Sequence, residues 1–306
     1  MASTVATSAS RPMPRRQVLI EKLIGCGFVF PVCVLLLLLN IVPLGVLALL
    51  SFTDYQMGAV DLSFVGLDNF AKALGDPVFR RAVTNTLIYV AIVLPGSVVL
   101  GLFAAVLIHG RLGSRPFYEI VYFLPITTTI VAMAAVWQIV LHPGLGPVNA
   151  LLQRMGFQPV MFLSDPAFAL PTLAVIGIWQ LVGFNMILFL AGLSAIPRDL
   201  YEAADIDGCG SPIDRFLTVT WPLLGPTTMF VIVTSSITSF KVFDTVVAMT
   251  KGGPMGSTEV LLYAIYLEGF QYFNSSYASV LTLIFLVFIL IFAVIQTFVL
   301  DKRVHY

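Results

Sequence analysis

The chain has 306 residues, of which 58% are hydrophobic and 10% are charged, and its mean hydropathy is +0.97. Soluble domains carry about 25% charged residues, so this composition excludes an ordinary soluble protein and indicates a membrane protein. Sixteen basic residues balance sixteen acidic ones without a basic run, which argues against nucleic acid as a partner.

The apolar stretches are long enough to cross a bilayer. A spanning helix needs about 20 largely apolar residues, because its backbone amides must be satisfied inside the helix. The sequence therefore predicts an all-α, polytopic membrane protein with one domain over residues 23–300. Six spans are predicted, at about 23–51, 84–108, 117–141, 170–193, 222–248 and 279–300. Residues 1–22 and 301–306 are predicted to be a polar amino-terminal segment and a short carboxy-terminal tail.

Basic residues are distributed unevenly between the two predicted sides. An even number of spans places both termini on one side, which carries ten Lys and Arg residues against five on the other. The ten are Arg11, Arg15, Arg16, Lys22, Arg111, Arg115, Arg198, Arg215, Lys302 and Arg303, and the five are Lys72, Arg80, Arg81, Arg154 and Lys251. Because cytoplasmic loops are enriched in Lys and Arg, both termini and the loop 194–221 are predicted to be cytoplasmic.

Two local patterns bear on how the predicted helices pack. Ser97, Gly101 and Ala105 recur every four residues in the second span, which predicts a close approach by another helix on that face. Prolines also occur within spans, as at Pro125 in the third, where each removes a helical hydrogen bond and favours a kink.

The loop 194–221 combines helix formers with a sharp turn. After Pro197, the segment RDLYEAADID predicts a helix that Gly208 can end. One stripe of this helix is predicted to contain Leu200, Ala203, Ala204 and Asp207. Pro212 opens a second short helix, so the product is a helix, turn, helix element with the Glu202 carboxylate free to pair with a basic residue. The same alanines and acids are also compatible with an ordinary solvated helix.

The segment EAADIDG at residues 202–208, followed by Arg215, Phe216 and Pro222, resembles the cytoplasmic signature loop of binding-protein-dependent ABC importer permeases. In that family the loop carries the coupling helix, which enters a groove on the ATP-binding cassette. The resemblance implies a type I ABC importer permease fold. It also implies cassette coupling by Glu202, Ala203, Ala204, Asp207 and Gly208. The segment up to Pro222 is one residue longer than the family pattern, which leaves the position of the second short helix open.

Three further segments are similar to carbohydrate-class permeases of the maltose and glycerol-phosphate type. They are FVGLDNF at 64–70, AIPRDLYEAA at 195–204 and FKVFDTVVAMTKGGP at 240–254. The resemblance implies half of a translocation path for a sugar or sugar/polyol derivative, in a prokaryotic inner membrane. The implied protein partners are a second, unlike permease subunit, two ATP-binding cassettes and an extracytoplasmic solute-binding protein. Membrane lipid is a further implied partner. The chain has no G-x-x-x-x-G-K-[ST] loop, so no cofactor is predicted here and ATP with Mg²⁺ is expected on the cassettes.

Polar side chains inside a span are costly unless they pair or face water, which makes them candidates for the path. The candidates are Ser235, Ser239, Trp179, Gln180, Phe184, Asn185 and Thr128. By resemblance Ser235 and Ser239 lie near sugar-contacting positions of maltose-type permeases, but each could instead bond the carbonyl four residues earlier. The aromatic and amide groups of the fourth span suit a sugar, although Trp179 fits a packing role equally well. Thr128 either lines the path or bonds carbonyls freed by Pro125.

Lys241 and Asp244 are three residues apart near the outer end of the fifth span, and we expect them to neutralise each other. Catalysis is not predicted, because the histidines are scattered and no nucleophile or metal motif occurs. An intramembrane enzyme would need facing carboxylates or histidines, and an ion-driven secondary carrier would need inverted repeats with mid-span acids. The alternatives that remain are a permease for a non-carbohydrate solute and such a carrier, and the sequence does not identify the solute.

Overall fold

A computed structural model of the chain describes residues 15–59, 62–110 and 113–301, and within these ranges it is helical with no β-strand. The all-α prediction is therefore confirmed. The longer helices are α1 (Arg15–Leu36), α2 (Val42–Ser51), α4 (Pro77–His109), α5 (Arg115–Thr127), α6 (Ile130–Val140), α8 (Pro166–Ala195), α12 (Gly225–Phe240) and α15 (Ser275–Asp301). The shorter ones are α3 (Asp68–Gly75), α7 (Pro147–Arg154), α9 (Arg198–Ile206), α10 (Pro212–Arg215), α11 (Trp221–Leu223), α13 (Asp244–Met249) and α14 (Leu261–Tyr266). Three π-helical segments join them, at Leu37–Ile41, Phe216–Thr220 and Leu267–Gln271.

Four of the described helices are long and apolar enough to cross a membrane, and two bent pairs raise that number to as many as six. The single helices are Ile24–Ser51, α4, α8 and Ser275–Phe298. α4 and α8 begin before the predicted positions 84 and 170, because an aspartate caps each of them. The carboxylates of Asp76 and Asp165 accept hydrogen bonds from the second backbone amide that follows, at 2.8 Å in both cases.

The predicted third span, 117–141, is broken rather than continuous. α5 and α6 meet at an angle of 100° across Thr128 and Thr129, both of which have extended backbone conformations. Three consecutive β-branched threonines favour this break, since such side chains are restricted in a helix. Thr127 and Thr128 donate their hydroxyls to the carbonyls of Leu124 and Pro125, at 2.8 and 2.9 Å. Thr128 therefore satisfies a carbonyl at the broken helix end, but this is the carbonyl of Pro125 itself and not one that the missing proline amide leaves free.

The predicted fifth span, 222–248, also ends early, at Phe240, and bends by 69° where it meets the preceding helical segment Pro212–Leu223. Lys241 lies at the carboxyl end of α12, and Asp244 is the first residue of α13. The prediction that these two residues neutralise each other was wrong, since their side chains form no ion pair in the described part of the chain. Each charge instead lies where it complements a helix dipole, with the cation at a carboxyl end and the acid at an amino end.

The most extensive helix packing joins α4 to α8, and α5 and α12 pack against the same pair. The predicted close approach at Ser97, Gly101 and Ala105 is present, because all three residues are buried and α8 lies against this face. A Cβ atom at Gly101 would lie 2.7 Å from the Asn185 Cβ and 3.2 Å from the Met186 backbone nitrogen. The small residue is therefore required for the helix backbones to approach.

Gly183 of α8 makes the tightest approach to α5 and gives a direct test of this packing. A Cβ atom there would lie 1.7 Å from the Tyr122 carbonyl oxygen, which is a backbone atom that cannot rotate away. We expect Gly183→Ala to destabilise the folded subunit by about 3 kcal/mol, as overpacking against backbone does. Its melting temperature and detergent-extracted yield should both fall. Gly25→Ala in α1, where nothing lies within 4 Å, is the control and should leave both unchanged.

Candidate functional site

The helix α9 presents one face away from the bundle. Asp199, Glu202, Ala203 and Ile206 follow the spacing of one helical face and are all exposed, with Ile206 at 87%. Ala204, on the opposite face, is 7% exposed and packs against the rest of the chain. α9 therefore offers a partner a short surface in which a carboxylate borders small and branched apolar side chains.

The stripe expected from the sequence differs from this face. Of Leu200, Ala203, Ala204 and Asp207, the structure buries only Ala204 and leaves the others exposed. Among the five coupling candidates, Glu202, Ala203, Asp207 and Gly208 are exposed, so only Ala204 has a packing environment supplied by its own chain. Ile206, four residues after Glu202, also belongs to the exposed face and was not among the candidates from the sequence.

Several contacts tie α9 to the segment that leads into α12. Gly208 has a φ of +95°, a backbone conformation that favours glycine, and it turns the chain so that the Cys209 amide donates to the Ala204 carbonyl at 2.9 Å. The Tyr201 and Thr220 hydroxyl oxygens are 3.0 Å apart. Arg215 pairs with Asp205 through Nε at 2.7 Å, an exposed bridge that contributes little by itself. Together these contacts fix the orientation of α9 relative to the helix that follows it.

The one-residue extension after Gly208 leaves the second short helix intact. α10 begins at Pro212, and the Ser211 hydroxyl caps it by accepting the Ile213 amide at 3.2 Å. The Ile213 side chain is 69% exposed. α10 continues through Phe216–Thr220 into α11, so the turn after α9 joins directly to a continuous helical lead-in.

The two candidate serines of α12, Ser235 and Ser239, are both buried but have different environments. Ser239 is 2% exposed and lines a cavity of about 190 Å³ with Gln180, Tyr89 and Lys241. Its hydroxyl has no hydrogen-bond partner among the described residues. Buried polar groups are normally satisfied, and the Ser239 oxygen is itself buried, so its hydroxyl would bond water or a ligand only once the cavity opens further. Ser239 and Gln180 are therefore the path candidates that the structure brings together.

Ser235 and Asn185 instead bond each other inside the core. They are 1% and 0% exposed, and the Ser235 hydroxyl donates to Asn185 Oδ1 at 2.9 Å. This bond joins α12 to α8, the role that polar side chains commonly have between membrane helices. Neither residue lines the cavity that contains Ser239.

A double-mutant cycle tests this packing role. We expect Ser235→Ala and Asn185→Leu to be coupled by about 1 kcal/mol in the free energy of unfolding, a typical value for such bonds in membranes. Transport selectivity should not change, because neither side chain faces the cavity. Altered selectivity with no coupling in stability would show that the pair contacts solute.

The remaining candidates lie outside the cavity. The Trp179 ring packs edge to face against the Trp137 ring, with 5.3 Å between the ring centroids. Both rings lie beside the buried cluster between α4, α8 and α13, so the position of Trp179 agrees with a packing role. Phe184 is half-buried and does not line the cavity. Thr128 is half-buried and bonds its own helix end, as described above.

At the opposite end of the bundle, contacts with α4 hold the loop 250–260. Arg81 pairs with Glu259 at 2.8 Å, and the Asn85 amide donates to the carbonyls of Gly256 and Glu259 at 3.0 and 2.9 Å. Met255, at the tip of this loop, is 88% exposed. The loop is therefore held in a fixed conformation that leaves Met255 exposed at its tip.

Comparison with known proteins shows the class of transporter to which the chain belongs. Residues 97–306 match the family described as binding-protein-dependent transport system inner membrane component, and the chain belongs to that family of ABC transporter permeases.

Relatives match over nearly their whole length. The probable ABC transporter permease protein YesP of Bacillus subtilis is 33% identical, covering 94% of this chain and 93% of its own. The sn-glycerol-3-phosphate transport system permease protein UgpA of Pectobacterium atrosepticum is 28% identical, covering 91% and 94%. The sulfoquinovosyl glycerol transport system permease protein SmoG of Agrobacterium fabrum is 29% identical, covering 86% of each.

A solved structure shares the fold. A chain of a bacterial ABC transporter that imports the acidic polysaccharide alginate superposes with a TM-score of 0.82 at 23% identity, covering 94% of this chain and 98% of that one. The type I importer permease fold predicted from the sequence is thus confirmed. A bacterial alginate ABC transporter solved in complex with a periplasmic protein bound to an alginate pentasaccharide also matches, with a TM-score of 0.81 at 23% identity, covering 92% of this chain and 95% of that one.

Proposed function

We propose that this protein is a membrane-spanning subunit of an ATP-driven importer and carries half of the translocation path for a sugar or a sugar derivative. Relatives named for glycerol 3-phosphate and sulfoquinovosyl glycerol support a polyhydroxylated solute. The polar wall formed by Ser239 and Gln180 supports it too, since hydroxyl and carboxamide groups both donate and accept hydrogen bonds.

The exposed face of α9 is the observation on which the coupling proposal rests. Glu202, Ala203 and Ile206 form this surface. The small side chain of Ala203 allows a partner to approach the helix closely. This surface belongs to a helix that Tyr201 and Ala204 attach to the lead-in of α12. In our proposal α9 enters a groove on an ATP-binding cassette, where Glu202 pairs with a basic residue and Ile206 fills an apolar pocket.

Movement of the cassette would then reach the cavity through one continuous connection. α9 is tied to the segment Pro212–Leu223, which leads into α12, and α12 carries Ser239. ATP binding would shift α9, and the 69° bend between this segment and α12 allows the two to reorient. The spans would rock between inward and outward openings. ATP and Mg²⁺ would stay on the cassettes, which makes this chain the mechanical part and not the enzyme.

The remaining partners follow from the two ends of the bundle. The loop with Met255 lies at the end opposite α9, so in the proposed orientation it faces the extracytoplasmic side, where a loaded solute-binding protein would rest on it. Both termini would be cytoplasmic, in the inner membrane of a prokaryote. The cavity of about 190 Å³ occupies one subunit, and a second, unlike permease would supply the facing wall of the path.

The path assignment predicts a specific defect for Gln180→Leu. Loss of one hydrogen bond to the solute costs about 1 kcal/mol, so uptake at saturating binding protein should fall roughly fivefold to tenfold. Gln153→Leu, on the exposed surface of α7, is the control and should leave uptake unchanged. Equal uptake by the Gln180→Leu variant and the unmodified protein would show that the Gln180 side chain does not bond the solute.

Purification tests the assembly. The tagged chain should be extracted from native membranes together with a second permease, ATP-binding cassettes and ATPase activity that rises with the loaded binding protein. The sugars that stimulate this ATPase would define the solute. A complex without a cassette would contradict the proposal, and stimulation only by a non-carbohydrate would correct its solute class.

A further inference from the structure

A cleft of about 700 Å³ opens where the helix ends on the α9 side of the bundle meet. It lies between the end of α4, the start of α5, the end of α8, the start of α9 and the segment 212–220. Part of its wall is apolar and comes from the membrane-spanning segments and their ends, namely Val106, Leu193, Ile196 and Phe216. The cleft therefore has an apolar wall next to the ends of two helices that are long and apolar enough to cross a membrane, α4 and α8.

The other part of the wall is basic. His109, Arg115, Arg198 and Arg215 all line the cleft, and no carboxylate among the described residues does. Three arginines and one histidine, from the four helices α4, α5, α9 and α10, thus converge on one opening.

Nearby acids neutralise only part of this charge. Arg115 pairs with Glu119 and Arg215 with Asp205, each through Nε at 2.7 Å. The terminal Nη nitrogens of both guanidinium groups, and the whole Arg198 side chain, have no acceptor within the described part of the chain. The arginines therefore keep donors available for an anion, and a guanidinium matches the geometry of a phosphate.

We propose that this cleft binds an anionic phospholipid, with its phosphate against Arg198, Arg115 and Arg215 and an acyl chain along the apolar wall. Basic pockets between helix ends on the cytoplasmic side are suited to such headgroups. A free phosphate ion would leave the apolar wall uncovered, which favours the lipid as the source of the phosphate. This inference rests on the orientation given under the proposed function, with α9 on the cytoplasmic side, and not on the identity of the solute.

Native mass spectrometry of the purified, assembled transporter tests the proposal without ATP or solute. Phosphatidylglycerol and phosphatidylcholine of the same chain length are titrated in turn, and inorganic phosphate is then added as a competitor. We expect preferential retention of phosphatidylglycerol. Arg198→Gln should weaken that retention roughly fivefold, as expected for one basic residue at a charged membrane surface, whereas Arg198→Lys should retain most of it.

Arg154→Gln, on the exposed end of α7, is the matched control and should retain the lipid fully. Equal retention of the two lipids by the unmodified complex would overturn the proposal. So would unchanged retention in the assembled Arg198→Gln/Arg115→Gln complex. Displacement of the lipid by inorganic phosphate alone would identify an ion site instead. A transporter that couples normally but shows any of these outcomes would refute only the lipid site.

Discussion

Glu202→Lys should reduce solute uptake by at least about thirtyfold while the transporter stays assembled. The reversed charge replaces a proposed ion pair at a desolvated contact with a repulsion, and loss of such a pair costs about 2 kcal/mol or more. Glu202 is exposed and forms no hydrogen bond or ion pair among the described residues, so folding of the subunit itself should not suffer. Uptake into vesicles, compared with the amount of copurified complex, measures the effect.

The matched control is Asp214→Lys, which makes the same charge change on the exposed surface of α10 instead of the outward face of α9. It should retain most of the uptake. Equal uptake by the Glu202→Lys variant and the unmodified transporter would show that α9 is not the coupling surface.

Gly208→Pro should uncouple ATP hydrolysis from transport. Proline fixes φ near −65°, whereas Gly208 has a φ of +95°, and its amide donates to the Asp205 carbonyl at 3.2 Å. The substitution removes this bond and forces the turn open, at a local cost of about 3 kcal/mol. α9 would then lose its fixed orientation toward the lead-in of α12. We expect ATPase activity to persist without stimulated uptake, as measured in proteoliposomes.

Gly156→Pro is the control for backbone strain as such. Gly156 also has a positive φ, of +85°, and donates its amide at 3.0 Å, but it follows α7 at the other end of the bundle. In the Gly156→Pro variant, ATP hydrolysis should remain coupled to solute uptake. Loss of coupling in both glycine variants would point to a general folding defect and not to the α9 turn.

Much of the helical architecture was predictable because lipid leaves the backbone few alternatives. Length and apolarity locate α4, α8 and α15, and the run after Pro197 predicts α9. The break at Thr128 was harder to predict, because Pro125 alone indicates a kink and the full break also needs the threonine hydroxyls that satisfy the free carbonyls.

Side-chain direction was less predictable than helix position. Ser235 and Ser239 lie on one stripe of α12, yet the first bonds Asn185 in the core and the second faces a cavity. The difference depends on the neighbour across the helix interface, which hydrophobic periodicity does not encode. The outward face of α9 was not predictable for the same reason, since alanine has no polarity that distinguishes the buried Ala204 from the exposed Ala203.

Photo-crosslinking of the assembled transporter tests the central claim most directly. A photoreactive amino acid replaces Ala203, on the outward face of α9, or Met255, at the opposite end of the bundle. The proposed mechanism predicts that the probe at 203 captures an ATP-binding cassette and that the probe at 255 captures none. Capture of the solute-binding protein at 203, or of a cassette at 255 alone, would contradict it.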